Sequence, residues 1–88
     1  MTRTLLLALA LLATPFAASA MPVVGDIVGT DAETAKAALE KSGCVVAAFE
    51  AEDGKIEAIC TETATSKKFD VVIDPATGAV LTIMESDE

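Results

Sequence analysis

The segment from Phe69 to Leu81 constrains the fold more than any other part of the chain, because it reads as strand, turn, strand. Apolar side chains recur at every second position over Phe69–Ile73, as expected for a strand with one buried face. Asp74–Gly78 then brings together an aspartate, a proline and a glycine, which each favour a turn for a different stereochemical reason. Because proline cannot donate to a sheet, the first strand should end by Asp74, and Val80 should open the next.

A second hairpin is predicted upstream, with strands at Cys44–Ala51 and Lys55–Thr61. Asp53-Gly54 between them is a strong signal for a two-residue turn. If Glu52 pairs with Lys55, the apolar pairs all fall on one face of the hairpin, which fixes the predicted register. Those pairs are Ala51 with Ile56, Phe49 with Ala58 and Ala47 with Cys60, and Val45 shares the face with Ala47 and Phe49.

The stretch before this hairpin predicts one amphipathic helix over Asp31–Ser42. Thr30 and Glu33 have the spacing of a capping box, and Gly43 suits the reversal after a helix end. The apolar stripe has three- and four-residue spacing and consists of Ala32, Ala35, Ala38 and Leu39. These small side chains allow the helix to lie close to a sheet.

Helix followed by four strands with short connections implies antiparallel neighbours, and hence an α+β fold with one helix packed on a four-stranded antiparallel meander sheet. We assign this domain to residues 30–84 and expect residues 85–88 to form a short acidic tail that frays. The Pro- and Gly-punctuated segment 21–29 either lies extended across the core or frays, and the sequence leaves both open.

The first twenty residues have the pattern of a secretory signal peptide. Arg3 precedes an apolar run from Leu5 to Ala13, and Ala18-Ser19-Ala20 predicts cleavage after Ala20. The run is short for a membrane span. We therefore expect a periplasmic or secreted bacterial protein, not membrane-bound after cleavage. The whole chain carries −8 and loss of Arg3 leaves −9, which disfavours nucleic acid and anionic membrane surfaces as partners.

Two cysteines in an exported chain predict a disulfide between Cys44 and Cys60. Strict alternation in the predicted register turns Cys60 inward and Cys44 outward. The bond therefore requires either a β-bulge or that Cys44 leave the strand just after Gly43. A redox pair is disfavoured because fifteen residues separate the two thiols, and a zinc site is disfavoured because further ligands are missing.

No catalytic constellation is found in the sequence. The chain has no His, Trp or Tyr, so Ser-His-Asp and Cys-His arrangements are impossible. A glycine-rich phosphate loop and EF-hand spacing are both missing, although acidic residues gather near the first hairpin turn at Glu50, Glu52, Asp53 and Glu57. We therefore predict no enzyme activity, no cofactor and no metal site.

The order of these motifs resembles the PepSY domain, a peptidase propeptide and YpeB-type domain, over residues 30 to 84. The resemblance is carried by Ala37–Gly43, by Val45–Glu50 with Asp53–Glu57, and most specifically by the turn in Phe69–Val80 that contains Asp74, Pro75, Thr77 and Gly78. It implies a helix packed on an antiparallel sheet.

The resemblance also implies a function, since PepSY domains occur in propeptides of secreted metallopeptidases and in envelope proteins that regulate spore cortex hydrolases. It favours a small exported binding module, monomeric or weakly dimeric, that acts on a peptidase or other envelope protein in trans, because no peptidase domain is seen in these 88 residues. An exposed sheet edge near Val80–Met84 would accept a peptide strand. The alternative is an acidic cation- or stress-responsive envelope protein, and a thiol oxidoreductase ranks last.

Overall fold

The computed structural model describes residues 21–86 and has the predicted α+β architecture. One helix, α1 (Ala32–Lys41), is followed by β1 (Cys44–Glu52), β2 (Lys55–Glu62), β3 (Lys68–Ile73) and β4 (Val80–Glu85). The strands form one antiparallel sheet in the order β1-β2-β3-β4, which is a meander with β1 and β4 at its edges. The leader predicted at residues 1–20 and the last two residues of the predicted tail lie outside the described residues.

The helix begins at Ala32, one residue later than predicted, and its N-cap is also one residue later. Asp31 is the N-cap, and its Oδ2 accepts from the Thr34 N–H at 3.2 Å, so the capping box predicted on Thr30 and Glu33 is wrong. Aspartate is the better N-cap of the two adjacent candidates, which accounts for the difference. The other end is as predicted, because the chain reverses at Gly43, whose N–H donates to the Glu40 carbonyl at 3.0 Å.

The β1–β2 register agrees with the prediction from the turn up to Phe49 and then departs from it. Glu52 pairs with Lys55 and Phe49 with Ala58, but a bulge between Val46 and Ala48 brings Val46, not Ala47, opposite Cys60. The predicted pair of Ala47 with Cys60 is therefore wrong. The bulge also reverses the parity of the strand, so Val45 and Ala47 are exposed while Cys44 and Val46 are buried.

The buried face of the sheet meets α1 in one core. Its fully buried side chains include Leu39 from the helix and Val71, Ile73 and Val80 from the strands. Cys44 and Cys60 belong to the same core and form a disulfide, with 5.4 Å between their Cα atoms. The β-bulge turns both cysteines inward. It is one of the two arrangements that the sequence allows for a disulfide between them.

The segment before the helix is ordered and runs beside the start of β4. The Val28 N–H donates to the Gly78 carbonyl at 2.8 Å, and Val28 is buried. A bridge between Ile27 and Ala79 joins the two segments. Residues 21–29 thus lie along the edge of the sheet at the start of β4, with a turn at Val24–Gly25, and Val28 reaches the core. At the other terminus Glu85, assigned to the tail from the sequence, pairs with Phe69 as the last residue of β4.

Candidate binding surfaces

The turn between β3 and β4 is held by its own polar groups. The Asp74 Oδ1 accepts from the Ala76 N–H at 2.9 Å, and the Thr77 Oγ1 accepts from the Ala79 N–H at 3.2 Å. The Asp74 carbonyl accepts from the Gly78 N–H at 2.7 Å. Three of the four predicted turn residues thus have local bonding roles, while Pro75 is exposed.

Gly78 also provides the contact between this turn and the N-terminal segment. Its φ is +80°, and a Cβ placed on it would lie 2.8 Å from the carbonyl carbon of Gly29. Only glycine permits both that backbone conformation and that approach. The turn motif singled out in the sequence therefore has a structural role in positioning residues 25–29 against β4.

The outer edge of β4 is only partly covered by that segment. The Val80 N–H donates to the Asp26 carbonyl at 2.8 Å, and the Gly25 N–H donates to the Val80 carbonyl at 2.9 Å. Within the part of the chain that the structure describes, β4 beyond Val80 pairs with β3 alone, and a register shift leaves Leu81 as an extra residue in β4. The edge expected at Val80–Met84 is therefore occupied at Val80 and irregular at Leu81, and the part that remains open to an added strand begins at Thr82.

Apolar side chains stand exposed around this open edge. Val23, Val24 and Ile27 of the N-terminal segment are between 60% and 67% exposed, and Met84 of β4 is 55% exposed. A short turn fixes the two valines, because the Asp26 Oδ2 accepts from the Val23 N–H at 3.0 Å. Exposed aliphatic residues at an edge strand are a typical feature of a surface that pairs with another chain.

The sheet face opposite α1 carries acidic side chains on three neighbouring strands. In the register, Glu57 of β2 lies opposite Glu50 of β1, and Asp70 of β3 lies one row away. Lysine is also present on this face, at Lys55 near the turn and at Lys68 at the start of β3. The acidic residues of the first hairpin could be identified from the sequence. Asp70 could not, because only the β2–β3 register places it beside Glu57.

Glu57 is the strongly perturbed titratable group of this face. Partial burial raises the pKa of Glu57 to about 7, and hydrogen bonding to Asp70 and repulsion by its charge add to the effect, followed by Glu52. Glu57 is therefore partly protonated near neutral pH, which removes part of the repulsion between the carboxylates of the cluster.

The thiol and metal alternatives receive no support from the described residues. Cys44 and Cys60 are both fully buried and bonded to each other, so an exchange partner has no access to either sulfur. Within residues 21–86, no group of three or more Asp, Glu, Cys or His side chains is arranged to hold a metal ion. In that same range no helix has the length and apolarity needed to cross a bilayer.

Comparison with known proteins gives one result at the level of family. The family model described as peptidase propeptide and YPEB domain, PepSY, matches residues 2–83. Comparisons with curated proteins and with solved structures find no significant match.

Proposed function

Because the chain belongs to the PepSY family, we propose that it is a small, non-enzymatic binding module that modulates a secreted or periplasmic peptidase in trans. The proposal includes export, with residues 1–20 as a signal peptide cleaved after Ala20, and action as a monomer or weak dimer. The family supplies the class of partner, since its modules occur as peptidase propeptides.

The open edge of β4 is the observation that carries the proposal. An extended segment of a partner can add to Thr82–Glu85 as a fifth strand, because these residues pair with β3 alone among residues 21–86 and β4 is the last strand of the sheet. Residues 23–27 and Met84 would then contact the added strand with their exposed aliphatic groups. A peptidase whose substrate groove binds extended chains would be restrained by such pairing.

The experiment combines capture with an activity assay. The protein, purified after expression of the full chain, is immobilised and exposed to envelope extract of its host. Retained peptidase is then assayed with a fluorogenic peptide, with and without added free protein. We expect dose-dependent slowing of the retained peptidase. If no peptidase is retained, or if the rate of the retained peptidase is unchanged at saturating protein, the proposal fails.

A matched pair of variants locates the contact. Met84→Lys places a charge at the open edge of β4, where lysine discourages strand addition, and should weaken inhibition about ten-fold or more. Val45→Lys makes the same change on the opposite edge strand, where Val45 is 46% exposed. It should leave inhibition within about two-fold of the wild type. Equal effects of both variants would show that net charge, and not the β4 edge, controls inhibition.

A further inference from the structure

The open edge of β4 directs backbone groups outward at Ile83 and Glu85. The Ser86 N–H donates to the Lys68 carbonyl of β3 at 2.8 Å. Backbone groups of an antiparallel strand point alternately to its two sides, so the N–H and C=O groups of Ile83 and Glu85 point away from β3. A strand added antiparallel there would bond to these two residues, and Met84 between them would face its partner residue in a non-hydrogen-bonded pair. In such a pair the two side chains lie closest together.

The side chain of Met84 stands in a row that leads to Asp70. Met84 lies opposite Asp70 on β3, and Asp70 lies opposite Ile59 on β2. Asp70 precedes the buried Val71, so this row is on the sheet face that points away from α1. A strand added at the edge would extend the row by one residue. The side chain of that residue would stand beside Met84 and two strands away from Asp70.

Carboxylates occupy the middle of this sheet face. Glu57 lies beside Asp70 on the neighbouring strand, and Glu50 lies opposite Glu57 on β1. Partial burial raises the pKa of Glu57 to about 7, and the neighbouring Asp70 is the next cause. The lysines of the face stand toward its two ends, Lys55 beside the first hairpin turn and Lys68 at the start of β3. A cation that arrives beside Asp70 from the β4 edge would therefore reduce repulsion between carboxylates, whereas an acidic group would add to it.

The open edge and the carboxylates together specify the chemistry of the added strand. We infer that the residue of the partner strand that faces Met84 is arginine or lysine, with its stem along Met84 and its charged end at Asp70. The Cα atoms of that residue and Asp70 would be about 10 Å apart, the sum of one non-hydrogen-bonded and one hydrogen-bonded pair. A long basic side chain spans such a gap because its stem packs on apolar surface while its charge extends beyond it. The inference rests on the proposed function and deepens it, because it makes Asp70 a specificity-determining residue for the partner.

The test uses blocked seven-residue peptides in which threonine and valine alternate around a variable central residue. That residue is arginine in the first peptide, methionine in the second and glutamate in the third. Binding is followed by amide chemical shifts of the ¹⁵N-labelled protein. We expect saturable shifts at Asp70, Ile83 and Met84, with the arginine peptide bound about three- to five-fold more tightly than the methionine peptide and the glutamate peptide weakest. Equal binding of all three peptides, or shifts confined to other residues, would overturn the inference.

Two matched variants separate contact with Asp70 from the general negative charge of the face. Asp70→Asn should abolish the preference for arginine over methionine while the methionine peptide still binds within about two-fold of its affinity for the wild type, which shows that the edge is intact. Glu50→Gln removes a charge from the same face but on β1, about 19 Å from the added strand and beyond the screening length of about 8 Å at physiological salt. It should retain the preference. Equal loss of preference in both variants would show a diffuse field and overturn the inference.

The remaining outcomes distinguish this inference from the proposed function. Concentration-dependent shifts at Ile83 and Met84 without peptide would assign the edge to a second copy of the chain and overturn the inference. Failure of all three peptides at millimolar concentration, or inhibition of a peptidase that is sensitive to Met84→Lys but not to Asp70→Asn, would refute the role of Asp70 and leave the proposed function standing. Preference for the arginine peptide without any peptidase inhibition would do the reverse.

Discussion

At the residue scale, Gly78 connects the Asp74–Gly78 turn, which carries the family resemblance, to the segment before α1. Gly78→Ala must place a methyl group 2.8 Å from the Gly29 carbonyl carbon at a φ of +80°. We expect a loss of about 2 to 4 kcal/mol in the free energy of unfolding, measured by urea denaturation. Gly54→Ala is the control, since its φ of +77° carries the same strain but no atom lies within 4 Å of the added Cβ. Equal losses would show that strain, and not contact with Gly29, determines the cost.

Glu57 predicts a pH dependence of stability at the same scale. Its pKa rises from 4.5 to about 7 on folding, so the folded chain binds the extra proton between these values. The free energy of unfolding should therefore fall as pH rises from about 4.5 to about 7. Because the group is only partly buried and solvent screens its charge, the change should be less than about 1 kcal/mol.

Glu57→Gln removes this titration. The variant should match the wild type at pH 4, where Glu57 is protonated in both states, and exceed it in stability at pH 8. The charged groups that share the face, and must be kept in both proteins, are Glu50, Glu52, Asp53, Lys55, Lys68 and Asp70. Glu40→Gln, on the exposed side of α1, serves as the control, and a stability curve parallel to that of Glu57→Gln would contradict the assignment.

At the scale of elements, the sequence predicted which segments form helix and strands but not all of their details. Alternation identified β2 and β3 and their buried faces, because Ala58, Cys60, Val71 and Ile73 are spaced by two and all are buried. The bulge in β1 was foreseen as one of two solutions, since Cys44 and Phe49 have opposite parity and both favour the interior. Its position between Val46 and Ala48 depends on how the strand packs against the rest of the fold, which neighbouring residues in the sequence do not reveal.

The candidate surfaces were less predictable for the same reason. The edge role of β4 follows from a meander, but the cover over Val80 depends on a long-range pairing between residues 25–28 and 78–80. The acidic cluster of Glu50, Glu57 and Asp70 likewise depends on the β1–β2 and β2–β3 registers, which periodicity alone does not supply.

The corrected N-cap gives a prediction for α1 as an element. Asp31→Ala removes the acceptor for the Thr34 N–H and should lower the thermal midpoint by about 5 °C, as loss of a cap does in a small domain. Thr30→Ala should change it by less than about 1 °C, because Thr30 is exposed and lies outside the helix. The midpoints are measured by circular dichroism. A larger loss in Thr30→Ala than in Asp31→Ala would instead support the capping box on Thr30.

At the scale of the whole molecule, the disulfide compensates for the size of the core. A chain of this length buries only about 60% of its unfolded surface, so its core alone gives a marginal domain. The Cys44–Cys60 bond has a sequence separation of 16, and closure of a loop of that length stabilises a fold by about 3 kcal/mol. Typical total stabilities are about 5 to 15 kcal/mol, so loss of the bond should leave a large unfolded fraction at 37 °C.

The last prediction follows from the large part of the total stability that the disulfide contributes. Replacement of both cysteines by alanine should lower the urea midpoint sharply while native strand content is recovered at low temperature or in a stabilising osmolyte. Reduction of the wild type should be slow until the protein unfolds, because both sulfurs are fully buried. Reduction should therefore accelerate in parallel with unfolding as urea is added. A reduction rate independent of urea would show that the bond is reached from the folded state, and the core as described would then be wrong.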